Sequence, residues 1–202
     1  MTVTLIGTPV IHTKRLILRA PEPWDVQPFM DFITSDRARF VGGPVTEPGR
    51  AWRAWATIIG HWPLRGFGMF TITRTDTGRA IGMAGPWFPD TWPEHEIGWM
   101  LWDDGHEGQG LAAEAAAAVR DHARTHLGWK TAVSYIDLDN ARSIALARRL
   151  GAVRDPDAAV PPAHPDGGAL GVWRHPLCAV AAAGAAPQSY ERHSHERCTN
   201  DA

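Results

Sequence analysis

Glu96-Ile97-Gly98-Trp99-Met100-Leu101-Trp102-Asp103-Asp104-Gly105-His106-Glu107-Gly108-Gln109-Gly110-Leu111-Ala112-Ala113-Glu114-Ala115 is the stretch on which the fold turns. Its apolar start reads as a strand, its polar, glycine-bearing middle as a loop, and its alanine-rich end as a helix. Gly108 and Gly110 carry no Cβ, so the loop is free to take dihedrals that other residues avoid and to lay backbone N–H groups directly against a ligand. A helix opening near Gly110 adds unpaired amide donors and the positive end of its dipole, roughly half an elementary charge. A phosphate or pyrophosphate is the natural guest of such a cradle. A strand-to-helix turn that merely needs glycine is the plainer reading, and two glycines at this spacing exceed what it requires.

Two phosphate-binding patterns fit the glycines. Gly108-Gln109-Gly110-Leu111-Ala112-Ala113 satisfies the dinucleotide fingerprint with alanine in the third slot, and Asp137 stands where a ribose-binding acid would close the next strand. An NAD-dependent oxidoreductase is therefore one alternative. Its strand should run straight into the first glycine, however, whereas Asp103 to Glu107 intervenes, and no second βαβ half follows. A Walker loop is excluded, because no Gly-Lys-Ser/Thr is present at the end of the run.

Glu107-Gly108-Gln109-Gly110-Leu111-Ala112 resembles the coenzyme A pyrophosphate loop of the GNAT superfamily of N-acetyltransferases, Gln/Arg-x-x-Gly-x-Gly/Ala, with Glu107 in place of the usual Gln or Arg. Glu96-Ile97-Gly98-Trp99 before it and Ala113-Glu114-Ala115 after it resemble the RimJ/RimL-like branch, which acetylates ribosomal-protein N-termini. Thr13-x-Arg15-Leu16-x-Leu18-Arg19 is similar to the opening of that branch. Asn140-Ala141-Arg142-Ser143-Ile144 and Leu150-Gly151-Ala152 resemble its Asn-x-x-Ser and Leu-Gly-Phe signature, with Ala152 replacing the aromatic. The resemblance runs from about residue 13 to residue 175.

This resemblance implies an α/β (α+β) fold, a mixed and mostly antiparallel sheet flanked by helices, with acetyl-CoA as co-substrate in a cleft between two splayed strands. It implies a primary amine as acceptor: a protein N-terminus, a free amino acid, a polyamine or an aminoglycoside-like molecule. Acyl transfer from a thioester to an amine needs a base, an oxyanion donor and a proton for the departing thiolate. The resemblance assigns the base to Glu96, acting through water, and the oxyanion donors to backbone N–H groups around Met100 and Leu101. It places Ser143 near the thiol as the acid and Asn140 beside the pantetheine, with Glu107 to Ala112 holding the pyrophosphate. Period-two alternation puts Glu94 and Glu96 on one face of the strand and His95 on the other. Plainer roles exist for each: Glu96 as a strand-entry residue or an arginine's partner, Ser143 and Asn140 as helix caps, Glu114 as a favourable acid in a first helical turn. No Tyr follows Leu150 until Tyr190, so a tyrosine acid is not expected. A non-catalytic acyl-CoA sensor is the further alternative.

A chain of 202 residues, 44% hydrophobic and 21% charged, suits one soluble domain. A net charge of −2 and a pI near 6.5 argue against nucleic acid or an anionic membrane as the main partner. Cys178 and Cys198 both lie near the C-terminus and make no disulfide framework, and Met1 to Val10 does not read as a signal peptide, so a cytoplasmic protein is expected, monomer or homodimer. The expected organisation is an extension at 1–12, one domain at 13–176 and a disordered tail at 177–202. His193-x-His195-x-x-Cys198 is too sparse for a metal site, and none is expected.

Along the chain, the patterns predict strands at Leu16–Arg19, Phe67–Thr73, Ala80–Trp87, His95–Leu101, Thr131–Ile136 and Leu170–Arg174, the last closing the sheet. Helices are expected over 24–33, from 47 or 48 to 61, after Gly110, and over 143–150, where Gly151 stops the chain. On the second helix Trp52, Trp55, Ile58 and Ile59 are read as one face. The linker Phe40-Val41-Gly42-Gly43-Pro44-Val45 is a candidate specificity loop, and Trp52, Trp87 and Trp92 suggest an aromatic lining for the acceptor pocket.

Overall fold

The computed structural model describes residues 5–162 and 168–177. Among these, eight strands form one sheet: β1 (Ile11–His12), β2 (Leu16–Arg19), β3 (Phe70–Arg74), β4 (Ala80–Trp87), β5 (Glu96–Leu101), β6 (Thr131–Asp137), β7 (Val153–Arg154) and β8 (Leu170–Pro176). Their order is β1-β2-β3-β4-β5-β6-β8-β7. Every neighbouring pair is antiparallel except β5–β6. The four helices are α1 (Val26–Ile33), α2 (Pro48–Arg65), α3 (Leu111–Thr125) and α4 (Ala141–Arg149). This is the expected mixed, mostly antiparallel fold, and it overturns the NAD alternative: the single βαβ unit, β5-α3-β6, has no second half to bind a dinucleotide across. The last strand is not the sheet's edge, because short β7 pairs outside β8.

Two cores cover the two faces of the sheet. On one face α3 presents Leu111, Ala115, Val119 and Ala123, spaced one turn apart, to Leu16, Ile72, Ile81 and Ile97. The alanines let the helix lie close to the sheet. On the other face α1 (Phe29, Phe32, Ile33) and α2 (Ala51, Trp55, Ile58) pack on Met69 and Met83. The buried stripe of α2 is therefore centred on Ala51, about 100° around the helix from Trp52, which is 61% exposed. The expectation that Trp52 shares the face of Trp55 and lines a pocket is corrected accordingly. A third, smaller cluster joins Ala147 of α4 and Ala152 to Ile136 and Trp173, so a ring from β8 lies where Ala152 has none.

Helix α2 continues past the expected stop at 61. Pro63 removes one N–H but its fixed φ suits the helix, and the turn ends only at Gly66, left-handed at φ 77°, whose N–H donates to the Trp62 carbonyl. Strand β3 starts later than expected, at Phe70, because α2 satisfies the backbone before it: His61 Nδ1 bonds the Phe67 carbonyl at 2.7 Å and Trp62 Nε1 donates to the Met69 carbonyl at 3.2 Å. At the chain ends, β1 lies within the stretch 1–12, and Leu177 is buried in the main core with its N–H on the Lys130 carbonyl. Residues 178–202, with Tyr190, His193, His195 and both cysteines, lie outside the described residues.

Candidate active site

Strands β5 and β6 run together only briefly. Their ladder has the pair Glu96–Val133, with the Val133 N–H on the His95 carbonyl at 2.9 Å. The next bond is made by a side chain: Ser134 Oγ donates to the Ile97 carbonyl at 2.6 Å and stands 2.9 Å from His175 Nε2. A hydroxyl has one proton, so with Ile97 as its acceptor, Ser134 takes the Nε2–H of a neutral His175. Burial holds His175 down to about pKa 4, which fits that neutral form. Beyond this bracket the strands part.

Backbone alternation fixes what faces the gap. The Trp102 N–H donates to the Ile81 carbonyl of β4 at 2.9 Å, and Ile97 offers its carbonyl to β6. Even-numbered residues of β5 therefore point their backbone at β4, and Trp99 and Leu101 point theirs into the gap. Of the two oxyanion donors expected, Leu101 fits and Met100 does not; the N–H of Met100 belongs to the β4 ladder, and the residue lines the cleft otherwise.

Two clefts meet at the gap. One, about 560 Å³, runs over the glycine loop and the first turn of α3, along Gly108, Gly110, Leu111 and Ala112. Gly108 (φ 70°) and Gly110 (φ 75°) are both left-handed, as a backbone anion cradle requires. Four arginines, 37, 39, 142 and 149, line it against two acids, Asp36 and Glu107. Glu107 is paired with both Arg37 Nη2, at 2.6 Å, and Arg142 Nη1, so the acid in the first slot of the loop is neutralised and the rim stays positive. Gln109 turns its side chain away from the cleft: its Nε2 donates to the Gly105 carbonyl at 2.7 Å and its backbone carbonyl accepts from Arg15 Nη1, which braces the loop. Leu111 is 1% exposed and serves the core with its side chain. The cleft, its glycines and its charge suit the pyrophosphate and phosphate of coenzyme A.

Glu114 joins two motifs that lie a hundred residues apart. It accepts from Thr13 Oγ1 (2.7 Å), the Arg15 N–H (2.9 Å) and Arg15 Nε (2.7 Å). It is thus more than a first-turn acid, for it locks the start of β2 against α3.

The other cleft, about 450 Å³, holds Glu96. Glu96 Oε2 accepts from Trp92 Nε1 at 2.6 Å, and burial pushes its carboxyl up to about pKa 7 despite that bond. Tyr135 beside it is pushed by burial to about 12. Glu94 does not share this face. It precedes β5, where alternation has not begun, and makes a two-pronged pair with Arg174 Nη1 and Nη2 at 2.6 and 2.8 Å; Arg174 also binds Asp155. His95 stacks on Trp129 with ring centres 4.1 Å apart. Only Glu96 of the three reaches the cleft.

Asn140 and Ser143 line both clefts. Asn140 caps α4, its Oδ1 accepting the Ser143 N–H at 3.1 Å, and Ser143 Oγ accepts from Trp99 Nε1 at 3.3 Å. That bond occupies a lone pair of Ser143 and leaves its proton out of the contact. Phe40, Val41, Gly42 and Gly43 of the linker wall the Glu96 cleft, as do Trp87 and Trp92. Trp87 stacks on His61 at 4.4 Å, whose Nε2 accepts the Phe88 N–H at 3.0 Å, so the corner carrying these tryptophans is fastened to α2. Sequence reasoning missed Arg37, Trp92 as partner of Glu96, and the Ser134–His175 bracket; the first and last join segments far apart in the chain, whereas Trp92 lies four residues before Glu96 in an irregular loop whose path the sequence pattern does not fix.

A split sheet with a glycine-lined anion cleft on one side of the split and a buried carboxyl on the other defines an enzyme that moves an acyl group off a coenzyme A thioester. Residues 15–153 match the family model described as an acetyltransferase (GNAT) domain, and the chain belongs to that family of acyltransferases. An acetyltransferase from Agrobacterium tumefaciens is similar at 35% identity and TM-score 0.76, over 87% of this chain and 98% of that one. RimL, a ribosomal L7/L12 alpha-N-protein acetyltransferase solved in complex with coenzyme A, shares the fold at 20% identity and TM-score 0.65, over 83% of this chain and 98% of its own. The ribosomal-protein-S5-alanine acetyltransferase of Vibrio fischeri shares it at 12% and 0.63, over 84% and 97%.

Proposed function

We propose that this protein transfers the acetyl group of acetyl-CoA to a primary amine by direct attack, with Glu96 as general base. The observation that carries this reading is the raised carboxyl of Glu96, at about pKa 7, in the cleft that meets the anion cleft at the split between β5 and β6. A base is most effective when its pKa lies near the working pH, and ordinary carboxylates are too acidic for that. Acetyl-CoA supplies the thioester; the family's members use it. The amine nitrogen attacks the carbonyl carbon, its surplus proton passes through water to Glu96, and the C–S bond breaks. The Leu101 N–H stabilises the developing oxyanion, and Ser143 gives its proton to the thiolate and regains one from water as Glu96 releases its own, with Asn140 beside the pantetheine. The rim arginines and the Gly108–Ala112 backbone take the pyrophosphate.

The test begins with thermal unfolding in the presence of acetyl-CoA, CoA and NADH. A ligand at about 100 times its dissociation constant stabilises by about 2.7 kcal/mol. Stabilisation by the two coenzyme A species alone is expected. Thiol release with an amine follows, in the wild type, Glu96→Gln and Ser143→Ala; loss of turnover in both variants with acetyl-CoA binding retained supports the roles. Full turnover in both refutes them and leaves the fold untouched.

A further inference from the structure

The reading above leaves the acceptor open, and the Glu96 cleft carries the choice further. Its walls are Phe29, Ile33, Phe40, Ile58, Trp87 and Trp92. Among the described residues, three that line it are charged: Arg39, Glu96 and Asp137. Asp137 ends β6 and is tied into its own turn. Its Oδ1 accepts the Asp139 N–H at 2.8 Å, and Gly168 packs so closely that a Cβ there would meet its Oδ2 at 2.3 Å. Of the two carboxyls, Glu96 is the one on β5, beside the split where the amine has to meet the thioester. Arg39 lies on the rim with its guanidinium 4.6 Å from the centre of the Phe40 ring, and among the described residues it forms no ion pair.

These charges discriminate among amines. A polyamine or an aminoglycoside brings three or more cations into a space whose described charges are two carboxyls and a guanidinium at the edge, so its further ammonium groups go unpaired. A protein N-terminus brings a row of backbone amides, which need polar partners along an apolar wall. A compact amine with a flat apolar body needs neither. Its ring is buried against tryptophan and phenylalanine, its one amine meets Glu96, and a volume of about 450 Å³ matches a small-molecule site.

We propose that the acceptor is a monoamine with a flat apolar body, of the size of an arylalkylamine or an aromatic amino acid. This rests on Glu96 as the base of amine acetylation. The experiment measures thiol release by the full chain at saturating acetyl-CoA with tryptamine, phenethylamine, L-tryptophan, spermidine, kanamycin and a peptide beginning with alanine. The aromatic amines are expected to exceed the other three at least tenfold in kcat/KM. A carboxylate-bearing winner places that group at Arg39, and Arg39→Met then removes its advantage over tryptamine. Trp87→Leu is expected to raise the KM of the preferred amine at least fivefold while the KM of acetyl-CoA stays put. Spermidine, kanamycin or the peptide equalling the aromatic amines overturns the proposal, as does turnover of none of the six. Calorimetric titration with acetyl-CoA separates the two levels: absence of binding sinks the acetyl-transfer reading itself, whereas binding with the wrong preference sinks only the acceptor.

Discussion

Replacing Glu96 by glutamine should make the protein more stable at alkaline pH while disabling it. Burial raises the Glu96 carboxyl from 4.5 to about 7. Between those values the folded protein binds a proton that the unfolded chain releases. The group's favourable contribution is therefore complete below about pH 4.5 and is lost as pH rises through 7. The difference of roughly 2.5 pKa units, at 1.36 kcal/mol each, makes the ionised carboxylate cost about 3 kcal/mol at pH 8. Glu96→Gln keeps the size and an oxygen to accept from Trp92 Nε1, and removes the charge. Its stability relative to wild type should improve by up to about 3 kcal/mol between pH 4.5 and pH 8, or about 6–12 °C in Tm for a chain of this length. Urea unfolding of both proteins across this range measures the difference, in which other titrating groups cancel. In parallel, wild-type kcat/KM should rise with pH and level off above about 7, and the variant should lose that inflection and about 10²–10⁴ in rate. Parallel stability curves would refute the buried-base reasoning, whatever the kinetics did.

Four more outcomes follow from contacts in the same region. Gly110→Ala forces a side chain into a left-handed dihedral at about 1–2 kcal/mol and distorts the cradle, so calorimetry should find coenzyme A bound at least tenfold more weakly by a protein that still folds. Arg142→Ala should weaken the same binding and flatten its dependence on ionic strength, read from titrations at low and high salt. His122 and His175 are both held down to about pKa 4 by burial, so the unfolded chain takes up their protons first as pH falls below about 6.5; unfolding free energy should drop by about 3 kcal/mol for each between there and pH 4, and His175→Gln should lessen that slope. Ser134→Ala removes the bracket to Ile97 and should lower kcat with little change in the pKa of the rate profile, since Glu96 keeps its own surroundings.

The strand–loop–helix run was legible because its signals are local: an apolar stretch, two glycines and an alanine-rich periodic stretch report on their own backbone. Asn140 and Ser143 were legible for the same reason, a cap being a contact three residues long. Glu96 was readable as a base by resemblance, but its raised pKa comes from burial in the cleft around it, which outweighs the Trp92 hydrogen bond. Glu107 was legible only as a departure from the usual Gln or Arg, because the partners that neutralise it, Arg37 and Arg142, are 70 and 35 residues away along the chain. Trp52 failed for a geometric reason. Two tryptophans and two isoleucines read as one face outweighed Ala51, although the small residue marks the side that approaches the neighbouring core.

Glu107 belongs to the loop ahead of α3, Arg37 to the turn that runs on into the wall of the acceptor cleft, and Arg142 to the first turn of α4. One carboxylate thus acts as a buckle on three separate straps. An anion bound in the glycine-lined cleft would compete with Glu107 for these two guanidinium groups, so the loop, the turn at Arg37 and α4 would answer together. The residue that departs from the family's loop pattern is thereby the tie between the glycine loop and the wall of the neighbouring cleft.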